Sequence, residues 1–155
     1  MKTEKTPLER AVEQTPNVAG HFKSGLQAVK SEYHSHIIIK GAKGKLTGSI
    51  DIDTVTQILY PNANRWDYAI EYNNETYFVE FHPASTSNVS EMISKLSWIK
   101  DWLKTRAPKI EELRASNSNA FHWIATGRVS ILKGSRQYRL ISTAGLLPKE
   151  RMIFK

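Results

Sequence analysis

A chain of 155 residues, 40% hydrophobic and 24% charged, is sized for one domain with a genuine core. It has no cysteine, which excludes disulfides, thiolate metal sites and cysteine nucleophiles, and no apolar run is long enough to span a bilayer. Lys and Arg outnumber Asp and Glu by 22 to 15, a net charge of +7 that favours polyanionic partners, nucleic acid first, although the same charge can serve solubility alone.

Met1-Lys2-Thr3-Glu4-Lys5 lacks the apolar region of a secretory signal, so a cytoplasmic location is expected. Thr6-Pro7-Leu8-Glu9 opens a helix: Thr6 can cap, Pro7 suits the first helical position and Glu9 completes a capping box. Pro16 ends it. Phe22, Leu26 and Val29 are spaced for one face of a second helix from Val18 to about Glu32. His34 to Ile39 is a candidate extended segment, and Gly41 to Lys45 a loop. Leu46 to Asp53 alternates and predicts a strand, after which Asp53 can cap a short helix through Leu59, stopped by Pro61.

Arg65 to Tyr72 and Glu75 to His82 also largely alternate, and Asn73-Asn74 between them tolerates the positive φ of a two-residue turn. That hairpin pairs Tyr72 with Glu75, Ile70 with Tyr77, Tyr68 with Val79 and Trp66 with Phe81 on an apolar face. The other face then carries Asp67 opposite Glu80 and Arg65 opposite His82. Opposed Cβ atoms lie roughly 4.5–5.5 Å apart, where like charges repel. A divalent cation with oxygen ligands would relieve that repulsion. The plainer alternative is a solvated polar network in which Asp67 pairs with Arg65.

A loop at Pro83 to Ser87 precedes a long helix from about Asn88 to Arg106, with Val89, Met92, Ile93, Leu96, Ile99 and Leu103 on its core side. Trp98 and Trp102 either extend that stripe or form an exposed aromatic patch. Ile110 to Arg114 can add a helical turn, followed by a loop at 115–119. Phe121 to Thr126 predicts a strand, the stretch between Gly127 and Gly134 another, Tyr138 to Thr143 a third and Arg151 to Lys155 a last one. The order predicts a single α/β domain over residues 1–155, with N-terminal helices in 1–33, a core in 46–126 and C-terminal strands in 127–155, built on a mixed central sheet flanked by helices.

A strand, a hairpin with an acid on its first arm and Glu-x-basic on its second, then a helix and a further strand resembles the PD-(D/E)XK, restriction-endonuclease-like nuclease superfamily. The resemblance covers roughly residues 46–126. It implies an α-β-β-β-α-β core, hydrolysis of phosphodiester bonds in nucleic acid and a divalent cation, Mg²⁺ or Mn²⁺. Asp67 matches the motif Asp, Glu80 the Glu and His82 the terminal basic residue, with Trp66 where the motif has Pro. Asp67 and Glu80 are then metal ligands. His82 is a general base, a third ligand or a stand-in for the motif Lys, unless Lys95 on the next helix supplies that ammonium. Asp51 is an auxiliary ligand candidate; in the other reading Asp53 caps a helix and Asp51 is solvated. The resemblance also allows a homodimer, and the altered motif leaves open an inactive nuclease fold that binds nucleic acid or protein.

His34 and His36 lack a third ligand nearby for zinc. Three dispersed basic groups could follow phosphates: Lys40, Lys43 and Lys45; Lys95, Lys100, Lys104, Arg106 and Lys109; and Arg128, Lys133, Arg136 and Arg139.

Overall fold

The computed structural model describes residues 4–116 and 119–155. Helix α1 (Pro7–Glu13) starts as expected, with the Thr6 hydroxyl accepting the Glu9 N–H. The expected second helix is absent. Positive φ at Gly20 and Gly25 breaks any helical run there, and the segment folds as turns with the short strand β1 (Lys23–Ser24). A 3-10 turn at Ser31–His36 leads into β2 (Ile37–Ile39), so only the end of His34–Ile39 is a strand.

Strand β3 (Leu46–Asp51) carries a bulge: Leu46 pairs with Tyr72 and Gly48 with Glu71, leaving Thr47 extra. Gly48 has no room for a Cβ, because the Phe22 ring rests on its backbone. Asp51, not Asp53, caps the short helix α2 (Ile52–Thr56), its Oδ1 accepting the Thr54 N–H. The helix stops before Leu59, which is exposed.

The hairpin is β4 (Tyr68–Tyr72) and β5 (Glu75–Ser85), joined by Asn73 and Asn74 at φ 51 and 63. Tyr72–Glu75, Ile70–Tyr77 and Tyr68–Val79 pair as the turn dictates. After a 3-10 turn at Thr86–Asn88, helix α3 (Val89–Thr105) crosses back over the sheet, burying Val89, Met92, Leu96, Ile99, Trp102 and Leu103. Full burial of one such side chain stabilises by roughly 1.5–3 kcal/mol. Helix α4 (Pro108–Glu111) follows, then β6 (Phe121–Ser130), which runs through Gly127 instead of ending at Thr126. Residues Tyr138–Thr143 belong to helix α5 (Arg136–Thr143), not to a strand. Ser135 caps its start, and Gly145 at φ 72 follows its end. The C-terminal region therefore contains a helix as well as β7 (Met152–Phe154).

The result is an α/β architecture. A mixed sheet has the order β1-β3-β4-β5-β6, with β5 and β6 parallel and the other pairs antiparallel; β2 and β7 form a small parallel pair. Both faces of the large sheet are covered. Ala69, Phe78 and Trp123 join the helix-side core with α1, α3 and α5, while Tyr68, Ile70, Val79, Phe81 and Ile124 pack against Val29, Tyr33, Met152 and Phe154. The expected division into an apolar face and a solvated polar face is therefore corrected. The parallel β5-α3-β6 crossover lays a helix over the face that carries the carboxylates. Trp98 and Trp102 stack at 5.9 Å as part of the helix-side core, and the Trp102 Nε1–H donates to Asn17 Oδ1. Among the described residues, no helix is long and apolar enough to cross a membrane.

Candidate functional site

The regular β4–β5 ladder ends at Tyr68–Val79, one pair before the two acids. Past that point each strand uses a side chain where the ladder would use backbone. The Asp67 N–H donates to Glu80 Oε1 at 2.9 Å, and the Phe81 N–H donates to Asp67 Oδ2 at 3.0 Å. The Asp67 carbonyl is turned to α2, accepting the Ile52 N–H at 2.9 Å. Asp67 and Glu80 are thus locked together at the fork where β4 leaves β5, and not as a ladder pair. The departure breaks the alternation, so Trp66 lies in the helix-side core against Phe121 (6.1 Å between ring centroids, 90° between planes) and not beside Phe81.

Arg65 does not face His82. Its Nε donates to Asp53 Oδ1 at 2.8 Å and its Nη1 to the Tyr60 carbonyl. Arg65 therefore neutralises Asp53, leaving Asp67 to other partners. Lys95 of α3 reaches the fork. Its Nζ is 3.1 Å from Glu80 Oε2 and donates to the Arg65 carbonyl at 2.9 Å. An ammonium has three N–H groups, so one is left over. Glu91, one helical turn before Lys95, lies 3.2 Å from His82 Nε2, and His82 Nδ1 lies 2.9 Å from the Pro83 carbonyl. Both His82 ring nitrogens are thus engaged within the protein.

Burial sets the electrostatics. Glu80 is 1% exposed. Desolvation, then the neighbouring Asp67 charge, push its carboxyl well above the ordinary range despite Lys95. Desolvation likewise lifts Asp67 to about 6, against the opposing pull of the Phe81 N–H and Lys95. Burial works to lower Lys95, but Glu80 and Asp67 outweigh it, so the ammonium is held more firmly than usual. The buried Glu80 and the half-buried Asp67 share one lysine, which leaves the cluster short of positive charge.

Paired carboxylate oxygens are the kind of donor a hard cation takes. Mg²⁺ and Mn²⁺ are commonly held by one or two carboxylates while keeping several waters. Asp67 Oδ2 and both Glu80 oxygens already take one hydrogen bond each, and carboxylate oxygens have further acceptor capacity. Among the described residues, no three His, Asp or Glu side chains gather as a metal-holding group. Asp51 is committed to capping α2, and Asp53 is paired with Arg65. His34 and His36 hydrogen-bond to the carbonyls of Val29 and Glu150. Glu9 and Glu13 lie on α1, where Glu13 pairs with Lys5.

Sequence reasoning missed Glu91, although it stands four residues before Lys95 and so shares its helix face. It also missed Glu71 of β4. This residue is fully buried and accepts the Leu8 N–H at 2.9 Å and the Thr47 hydroxyl at 2.8 Å. Comparison of the chain with family models, curated proteins and solved structures returned no match.

Proposed function

We propose that the chain is a divalent-metal-dependent nuclease of the PD-(D/E)XK kind. The observation that carries the reading is the interlocked Asp67–Glu80 pair at a strand fork, with the Lys95 ammonium 3.1 Å from Glu80. With the short β1, β2, α2 and α4 set aside, the order α1, β3, β4, β5, α3, β6 supports it, since it follows the α-β-β-β-α-β succession that the sequence resemblance implies. The net charge of +7 suits a polyanionic substrate.

Asp67 and Glu80 would hold the cation. When bound, it would supply charge stabilisation at the phosphate and lower the pKa of water. Hydrolysis adds a water oxygen to phosphorus and breaks one P–O bond; the water proton passes to solvent and the leaving oxygen takes one up. Lys95 has the spare N–H to orient that water or to donate to a phosphate oxygen, which assigns the motif-lysine role to α3. His82, tied to Glu91 and Pro83, then serves to fix the start of α3 against β5.

The test is calorimetric titration of wild type and Glu80→Ala with Mn²⁺ and Mg²⁺, alongside cleavage of single- and double-stranded DNA and RNA. Wild type is expected to bind Mn²⁺ and cut, and Glu80→Ala to do neither. Absence of metal binding by both proteins would overturn the reading. The second reading is a non-catalytic nucleic-acid-binding descendant of the fold, which the engagement of both His82 nitrogens favours. Salt-sensitive binding without cleavage would select it.

A further inference from the structure

Between Leu113 and Lys149 the sequence contains no Asp or Glu, yet it carries Arg114, Arg128, Lys133, Arg136, Arg139 and Lys149. Much of this stretch forms the far end of β6 and helix α5. Beyond His82 the strand pairing shifts from His82–Ala125 to Ala84–Val129, so β6 has two residues more than β5 over that step. Pro83 sits opposite and has no N–H to offer a ladder, which accounts for the bulge. The bulge contains Thr126, Gly127 and Arg128, all exposed. Among the described residues, none of Arg128, Lys133, Arg136 and Arg139 forms an ion pair.

Helix α5 lies against α3, and two adjoining hollows of about 380 and 340 Å³ open between them. Both hollows contain Ile93, Arg136 and Leu140. Arg139 borders one, and Ser90 and Ser94 border the other. Leu140 is 44% exposed. Ser90 and Ser94 are the chain neighbours of Glu91 and Lys95, so α3 forms a wall of both this groove and the carboxylate site.

We propose that the α3–α5 groove binds a single-stranded segment of nucleic acid. The inference rests on the reading of the chain as acting on nucleic acid and identifies where the strand lies. Arg136 and Arg139 provide planar, permanently charged donors for phosphates. Ile93 and Leu140 provide an apolar floor for a base face, and Ser90 and Ser94 provide hydroxyls for sugar or base edges. Hollows of this size admit an unstacked base, which a duplex keeps inside its stack. Arg128 in the bulge would extend the cationic track beyond His82.

Fluorescence anisotropy with a labelled oligothymidylate tests this, using wild type, Arg136→Gln/Arg139→Gln and the equally charge-depleted control Lys23→Gln/Lys30→Gln, two exposed lysines outside the groove. Glutamine keeps the helix propensity of α5, and a thermal melt followed by circular dichroism checks folding. If the arginine pair melts early, Arg136→Lys/Arg139→Lys replaces it and is expected to bind with a weaker, single-donor pattern intermediate between the two. The arginine variant is expected to bind about tenfold more weakly, with a salt slope shallower by about 1.4, the value for two lost single-strand phosphate contacts. The control is expected to change by less than about threefold. Equal losses in both double variants, no binding by wild type, or preference for duplex would each overturn the groove. Repeating the titration with Mn²⁺ separates the two ideas. Arginine-dependent binding without cleavage leaves the groove standing and removes the nuclease. Cleavage with arginine-independent binding does the reverse.

Discussion

Glu71 and Glu80 lie on paired strands, face the same helix layer and are 0% and 1% exposed, yet their surroundings differ. Glu71 is met by neutral donors: the Leu8 N–H in the first turn of α1, and the hydroxyl of Thr47, which the β3 bulge turns toward it. A carboxylate there also complements the positive end of the helix. Glu80 shares its space with a second carboxylate and leans on a lysine. The first arrangement is closed and joins α1 to the sheet. The second is short of positive charge, and that deficit is what makes it a candidate for chemistry.

The largest expected effect separates them by activity. Glu80→Ala is expected to lower cleavage in Mn²⁺ by at least about 100-fold, the scale of losing a metal ligand, while Glu71→Ala keeps cleavage wherever it remains folded. Retained cleavage in Glu80→Ala would erase the distinction. Stability is expected to rank them the other way. Glu71→Ala strands a buried N–H and a hydroxyl, and should cost about 3 kcal/mol in denaturant unfolding. Glu80→Gln relieves carboxylate repulsion and should cost less, or stabilise. An equal loss in both would mean that the Asp67–Glu80 fork is also a structural joint.

Acidity sharpens the comparison. With Asp67 lifted to about 6 from 3.8, the folded state holds a proton that the unfolded chain has released between those values, so Asp67 lowers stability as pH rises from 4 to 6. Asp67→Asn with chelator present should therefore be more stable than wild type by about 2 kcal/mol at pH 7, with the advantage gone by pH 4. His122 opposes this. Burial, then Lys149, lower its pKa to about 4 from 6.5, so it stabilises above 6.5 and loses that contribution as pH falls to 4. Wild type should then show a flatter acid profile than Asp67→Asn, and unfolding curves across this range would reveal it. The smallest effect belongs to the closed region: Thr6→Ala removes the α1 cap and should cost about 1 kcal/mol. A much larger loss would show that the cap and Glu71 act as a unit.

The hairpin was legible because two asparagines leave little freedom in register, and α3 because six core positions repeat at helical spacing. The fork was not, since the alternation that placed Asp67 opposite Glu80 ends one residue earlier, where side chains replace backbone partners. Covering of the carboxylate face depends on where α3 crosses, which is a tertiary fact. The expected helix at 18–32 failed because Phe22, Leu26 and Val29 mimic helical spacing while Gly20 and Gly25 take positive φ. In α5 the cap at Ser135 and the stop at Gly145 outweigh the loose alternation at 138–143 that mimics a strand.

The bulge opposite Pro83 also bears on solubility. β6 is the last strand of its sheet, and past Ala125 its outer rim carries exposed Val129. A straight rim of that kind is a template for neighbouring molecules to pair with; a kinked one bearing a cation acts as a gatekeeper. Excising Gly127 and Arg128 would regularise the ribbon and favour strand-to-strand self-association.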